Sequence, residues 1–283
     1  MQATWDLLQV GFVQQALIAA ALLGVLSGVM APMIVLRQMS FAVHGTSELA
    51  LMGASAALLF GLNVGFGAVV GSIVAAIALT LLGFKQQDAA VGVVMSFGLG
   101  LSVLFIHLYP GRASTAFSLL TGQIVGVSGA SVGLLAAVTA VVVGSVIILW
   151  RPLLFDSADP LIAASHGVPV RALSVYFAIL VGLSSAQSVQ IVGALLVMAL
   201  LITPGASAVY ITNNPVAATI WSVIFAEIAA AGGFVLSLAP GLPVSVFVTG
   251  ISFGIYLICR AIGFVRGAGV QTPTAQLQQQ PRR

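Results

Sequence analysis

Groups able to do chemistry are scarce in this sequence, and two of them stand one helical turn apart. The chain has 283 residues, with only six acids and three histidines. His44 and Glu48 lie in Phe-Ala-Val-His-Gly-Thr-Ser-Glu-Leu-Ala-Leu-Met-Gly-Ala, a stretch otherwise apolar or small. At spacing i, i+4 both side chains leave one face of a helix. An imidazole and a carboxylate on a shared face can hold a divalent transition metal, and the pair suits zinc, manganese or iron(II) better than soft copper(I). Two ligands do not complete a site. Water, another helix or a second subunit must supply the rest, and a transport site has to release its ion. The same pair can also be structural, each group bonding to the other or to nearby backbone. Glu227, in Ile-Phe-Ala-Glu-Ile-Ala-Ala-Ala-Gly-Gly, fits two readings equally: a protonated carboxyl bonded between helices, or a second station on a cation path. His107 reads as an interfacial residue and His166 as a surface one, and Asp156 and Asp159 read as helix-start residues.

The elements that carry these residues must lie in a bilayer. Charged residues are 5% of the chain, hydrophobic ones 60%, and the mean hydropathy is +1.18. A soluble domain carries roughly 25% charged residues. The net charge of +3 is spread along the chain and forms no nucleic-acid patch. A single cysteine, Cys259, allows no internal disulfide. With the first basic residue at Arg37, no cleavable signal peptide is expected.

At about 20 apolar residues per crossing, candidate spans are Val10–Leu36, Phe41–Leu62, Val64–Leu82, Ala89–Leu108, Val132–Trp150, Leu173–Ala186, Ile191–Thr203, Val216–Ala239 and Leu242–Ala261. The sixth and seventh are short. They are either two crossings reversing at Gln187–Gln190, or one is a half-helix. The count is nine, with eight as the alternative. With the N-terminus outside, Arg37, Lys85, Arg151, Arg171, Arg260, Arg266, Arg282 and Arg283 fall on the cytoplasmic side and only Arg112 outside, as the positive-inside rule requires. The external segment Gly111–Ser131 is semi-apolar and is expected to lie at the surface, partly as a short helix. The segment Arg151–Arg171 is cytoplasmic. Within it Asp159 suits an N-cap, Pro160 the first helical position and Gly167 the C-terminal stop, with Pro169 following. That predicts a helix of about seven residues. Residues 1–266 form the transmembrane domain, and 267–283 a Gln-, Thr- and Pro-rich cytoplasmic tail expected to be disordered. No Walker-type loop occurs, so no nucleotide site of its own is expected. No His-Glu-x-x-His occurs, which removes an intramembrane zinc protease. The scattered methionines fit core packing.

Three stretches resemble the permease subunit of bacterial ATP-binding-cassette importers for zinc, manganese or iron. The first is Arg37-Gln38-Met39-Ser40 through Gly53. The family reads Arg-Arg-Met-Ser, then Gly-Asp-x-x-Ser-His, then Leu-Pro-Gly. Ser40, Ser47 and Gly53 fall in register, while His44, Glu48 and Met52 replace the family's Asp, His and Pro. The second, Asp159-Pro160-Leu161-Ile162-Ala163-Ala164-Ser165-His166-Gly167-Val168-Pro169, is similar to the family's cytoplasmic coupling helix. The third runs from Val192-Gly193-Ala194-Leu195-Leu196 to Thr203-Pro204-Gly205-Ala206. Leu119–Ile124 weakly echoes an external motif.

The resemblance implies an all-α polytopic fold like that of the metal and vitamin B12-type importer permeases. It implies a homodimer in the plasma membrane, two separate cytoplasmic ATPase subunits that bind ATP, and an extracytoplasmic metal-binding protein. No cofactor would be bound permanently, and the divalent metal would be cargo. It places His44 and Glu48 on the metal path, and Asp159, Pro160, Ala163, Ala164, Gly167 and Pro169 at the ATPase coupling. The alternative is a proton-coupled secondary metal transporter in which Glu48 and Glu227 titrate. A non-transporting scaffold would leave His44 and Glu48 dispensable.

Overall fold

The computed structural model describes residues 10–81, 87–112, 119, 127–238 and 244–265. Among them all regular secondary structure is helical. The helices are α1 (Gly11–Leu36), α2 (Ser40–Leu59), α3 (Val64–Leu81), α4 (Gln87–Leu108), α5 (Gly129–Ile148), α6 (Trp150–Ala158), α7 (Pro160–Ser165) and α8 (Val170–Val192). After a 3-10 turn at Ala194–Leu196 come α9 (Val197–Leu201), α10 (Thr203–Ile211), α11 (Pro215–Glu227), a π turn at Ile228–Gly232, α12 (Gly233–Leu238) and α13 (Val244–Val265). Six stretches are helical, long and apolar enough to cross a membrane: Gly11–Leu36, Val91–Leu108, Gly129–Ile148, Val170–Val192, Pro215–Leu238 and Val244–Val265. Val64–Ala78 and Val197–Ile211 are shorter apolar helical stretches. Lys85, residues 113–118 and 120–126 of the expected external segment, and the tail from Gly267 lie outside the described residues.

The core forms around α1 and α8. Buried α1 side chains occur all round the helix (Ala16, Ala19, Ala20, Leu23, Leu26, Met30, Met33 and Ile34), as befits a helix surrounded by others. Helix α2 packs on α3, α4 and α8. Its approach to α3 is backbone to backbone: a Cβ at Gly53 would collide with the Gly67 carbonyl, and one at Gly71 with the Leu49 carbonyl. Small residues at such crossings let helices associate where lipid removes the hydrophobic drive.

Two expectations need correction. Gln187–Gln190 is not a reversal, because α8 runs unbroken through it to Val192. The reversal falls at Gly193, at φ 83° and ψ 158°, a conformation essentially restricted to glycine. Gln187 and Ser188 are fully buried in protein rather than exposed to lipid, so their polarity does not interrupt the helix. Secondly, Ile191–Thr203 is not one short span. It contains the end of α8, the 3-10 turn and α9, and the helix breaks at Ile202 (φ −122°) before α10. Pro204 accounts for that break, since it lacks the N–H that would continue α9 and its ring would clash with the carbonyl four residues earlier, at Leu200.

Candidate functional site

His44 and Glu48 share α2. Glu48 is 7% exposed, and His44 is half-buried. Glu48 Oε2 and His44 Nδ1 are both buried without a hydrogen-bond partner, so the two groups do not satisfy each other. The rest of this helix is satisfied locally. Ser47 Oγ donates to the His44 carbonyl at 2.7 Å, and Thr46 Oγ1 donates to the Val43 carbonyl at 2.9 Å. Thr46 also meets Ser185 of α8 at 3.1 Å. On another side, α4 crosses α2 at Gly98, where a Cβ would lie 3.4 Å from the Glu48 carbonyl carbon. The structure thus offers one imidazole nitrogen and one carboxylate oxygen with open valences, held inside a helical bundle. A buried polar atom left unpaired is costly, and a cation with its water is the chemistry that suits this donor set.

Glu227 is not brought to this pair. It packs across α1 at Gly24, where a Cβ would meet its Oε1 at 2.7 Å. Among the described residues no three of His, Cys, Asp and Glu come together as a metal cluster. The π turn follows Glu227 directly, where the sequence predicts a regular span. His107 and His166 are exposed.

The short helix between α6 and α8 is built as its punctuation predicted, one residue shorter. Asp159 Oδ1 accepts from the N–H groups of Leu161 and Ile162, each at 3.0 Å, and Pro160 opens the helix. Gly167 closes it in the left-handed region at φ 81°. Val168 N–H reaches the Ala163 carbonyl at 3.1 Å and Gly167 N–H the Ala164 carbonyl at 3.0 Å, the two bonds of a Schellman stop. Ala163 faces inward and is fully buried, whereas Leu161 is 84% and Ile162 49% exposed. Ala164 is exposed, and Pro169 N-caps α8. Of the six residues that the resemblance assigns to coupling, Ala163 therefore serves the permease side of this helix. The outward apolar face belongs to Leu161 and Ile162.

Asp156 is not a helix-start residue. It sits in the last turns of α6 and binds Arg37 Nη2 at 2.6 Å, with side-chain exposures of 8% for Arg37 and 2% for Asp156. Burial pushes the Arg37 guanidinium below its ordinary value, and the charge and hydrogen bond of Asp156 pull it back up.

An all-helical bundle with six helices long and apolar enough to cross a membrane, joined in part through a short capped helix, has the architecture of a polytopic membrane protein. Residues 9–263 match the profile of the ABC 3 transport family, and the chain belongs to that family. It is 30% identical over 236 residues to the manganese transport system membrane protein MntC of Halalkalibacterium halodurans, covering 82% of this chain and 81% of that one. It is 33% identical over 220 residues to the manganese import system permease protein ScaB of Streptococcus parasanguinis, covering 76% of each. Among solved structures it is similar to PsaBC from Streptococcus pneumoniae in complex with Fab, at 28% identity and a TM-score of 0.83, covering 92% of this chain and 95% of that one.

Proposed function

We propose that this chain is the membrane subunit of an ATP-driven importer of manganese(II). It works as two copies with separate cytoplasmic ATPase subunits and an extracytoplasmic metal-binding protein. The observation that carries the reading is the outward apolar face of α7. Leu161 and Ile162 stand exposed on a doubly capped helix outside the spans, a knob that fits the groove of a soluble partner and has no use in a self-contained carrier. Membership of an ABC family likewise favours ATP over a proton-driven cycle. Manganese is supported by the names of two relatives and by the nitrogen and oxygen donors of His44 and Glu48. Zinc and iron(II) are the competing cargoes. In this reading α2, α3 and residues 197–211 also cross the membrane, which adds three spans to the six and makes nine. The N-terminus is then outside, α7 and the C-terminal tail are cytoplasmic, and residues 1–266 are the transport domain.

A ligand or nucleotide biases two conformations only by its differential affinity for them. Here ATPase closure would grip α7 in one state, and the helices packed on it would follow. Glu48 would supply charge to the passing ion and His44 a neutral nitrogen, so acidification weakens the site.

The test is uptake of manganese(II), zinc(II) and iron(II) into proteoliposomes holding the permease, its ATPase and its binding protein. His44→Ala with Glu48→Gln lowers manganese uptake by at least about tenfold while the complex still assembles. Undiminished uptake in that variant would falsify the site. Full uptake without the ATPase would sink the importer reading, and a Leu161→Asp permease that still bound its ATPase and transported at the normal rate would refute α7 as the ATPase's docking element.

A further inference from the structure

We propose that Arg37 is a transmission latch, a positioning residue that binds the end of α6 to the start of α2 so that movement of α7 reaches His44 and Glu48. The inference rests on the importer reading, in which α7 is the element the ATPase moves.

The geometry is unusually complete for one side chain. Arg37 Nη2 binds Asp156 Oδ2 at 2.6 Å and the Leu153 carbonyl at 3.2 Å. Its Nε donates to Ser157 Oγ at 2.9 Å. Its Cζ lies 4.5 Å over the ring of Phe177 on α8. One guanidinium therefore grips the last turn of α6 and lies against α8 at once. Helix α6 ends at Ala158, and the next residue, Asp159, caps α7. Phe155 of the same helix packs edge-on to His166, the C-cap of α7, with ring centroids 5.7 Å apart. The gripped helix is thus the one that α7 rests on.

The other end of the latch is as short. Arg37 is the C-cap of α1, and α2 begins at Ser40. Between them Gln38 holds φ 55°, the one non-glycine residue at positive φ among those described. The turn is a Schellman stop, with Met39 N–H on the Ile34 carbonyl at 3.0 Å and Gln38 N–H on the Val35 carbonyl at 3.1 Å. The turn that aims α2 is accordingly fixed, and the residue that opens it is Arg37. His44 lies within the first two turns of α2.

A purely stabilising role explains this poorly. Replacing a buried ion pair by well-packed apolar residues is often neutral or favourable, and the best-attested use of such pairs is to fix register or a switch. A guanidinium suits that use, because its planar fork sets direction as well as distance, whereas an ammonium is a point charge.

The experiment uses the full complex in proteoliposomes with radioactive manganese(II), and measures manganese transported per ATP hydrolysed, total hydrolysis and complex assembly. Arg37→Gln and Asp156→Asn each lower manganese per ATP by about tenfold or more, with hydrolysis kept within about twofold. The double variant is no worse than either single one, because both remove one interaction. Arg37→Lys recovers part of the ratio, since it keeps the charge and loses the fork. An unchanged ratio overturns the latch. So does a parallel fall of uptake and hydrolysis, or failure of both single variants to assemble, which would make the pair a folding element. Leu161→Asp in the same preparation separates the two ideas. If it still binds ATPase and transports normally, α7 is not the element the ATPase grips and the premise of the latch fails; if it loses ATPase while the Arg37 and Asp156 variants stay coupled, only the latch fails.

Discussion

Asp159→Ala tests α7, the proposed coupling helix, at its weakest point. Helix α7 has six residues, far below the roughly 12–15 at which an isolated helix becomes even marginal. It therefore depends on its two ends and on Ala163 and His166 packing against the bundle. The substitution removes both 3.0 Å bonds from Asp159 Oδ1 to the Leu161 and Ile162 amides and leaves the Gly167 stop intact. Loss of an N-cap to alanine costs about 0.5–2 kcal/mol. A central value near 1 kcal/mol changes the ordered-to-frayed ratio by about fivefold. Apparent affinity for a partner that needs the ordered helix falls by at most the same factor. Two assays read this. Hydrogen exchange of the Leu161 and Ile162 amides, with the permease in nanodiscs, accelerates by up to about fivefold. Titration with the purified ATPase subunit gives a dissociation constant raised by up to the same ratio. Asp159→Asn is the control, because asparagine caps as well as aspartate, and it behaves as wild type. Exchange and affinity both unmoved in Asp159→Ala, or Asp159→Asn as damaged as Asp159→Ala, would refute the capping argument.

Two further substitutions probe the frame that holds the site. Gly193→Ala forces a Cβ into φ 83° and ψ 158° and costs about 1–3 kcal/mol, read as a lowered midpoint of thermal unfolding in detergent; an unchanged midpoint would show that the reversal after α8 relaxes freely. Gly53→Leu drives a side chain into the Gly67 carbonyl and the Gly71 backbone, and the backbone atoms cannot step aside. Folded yield and thermal stability drop sharply, whereas Gly100→Leu, at a position with open space around it, leaves both near wild type.

What could be read from the sequence was local. The ends of α7 follow from Asp-Pro at one side and Gly-x-Pro at the other, because caps and stops are decided within a few residues. Helices α1, α4, α5 and α13 follow from runs of apolar side chains. The misreadings came from interactions that sequence distance hides. Asp156 looked like a helix-start acid because its partner Arg37 is 119 positions away. Gln187–Gln190 reads as a turn when its polar residues are set against lipid, and only the packed bundle shows that Gln187 and Ser188 face protein. The inward aim of Ala163 and outward aim of Leu161 likewise depend on which side of a six-residue helix meets α6.

Helix α2 is the most instructive of the long helices. It has 20 residues, long enough to cross, yet it is absent from the six stretches that are both long and apolar enough. Its deficit is chemical: His44, Thr46, Ser47, Glu48 and Ser55 occupy positions a lipid-facing helix would fill with leucine. Such a helix is stable in a bilayer only if neighbours shield it, and Thr46, Ser47, Glu48 and Ser55 are all buried. Two serines and the threonine spend their hydroxyls on their own backbone, as isolated polar residues in membrane helices do. Glu48 Oε2 and His44 Nδ1 have no such outlet. Local bonding therefore accounts for the other buried polar side chains of this helix, Thr46, Ser47 and Ser55, and leaves these two, one turn apart. A role in packing alone would be met at lower cost by the apolar residues that fill the rest of the core. On the proposed function, the unpaired polarity of α2 is the feature that a path for a hydrated cation would use, and it sits on the two residues of the helix that can ligate one.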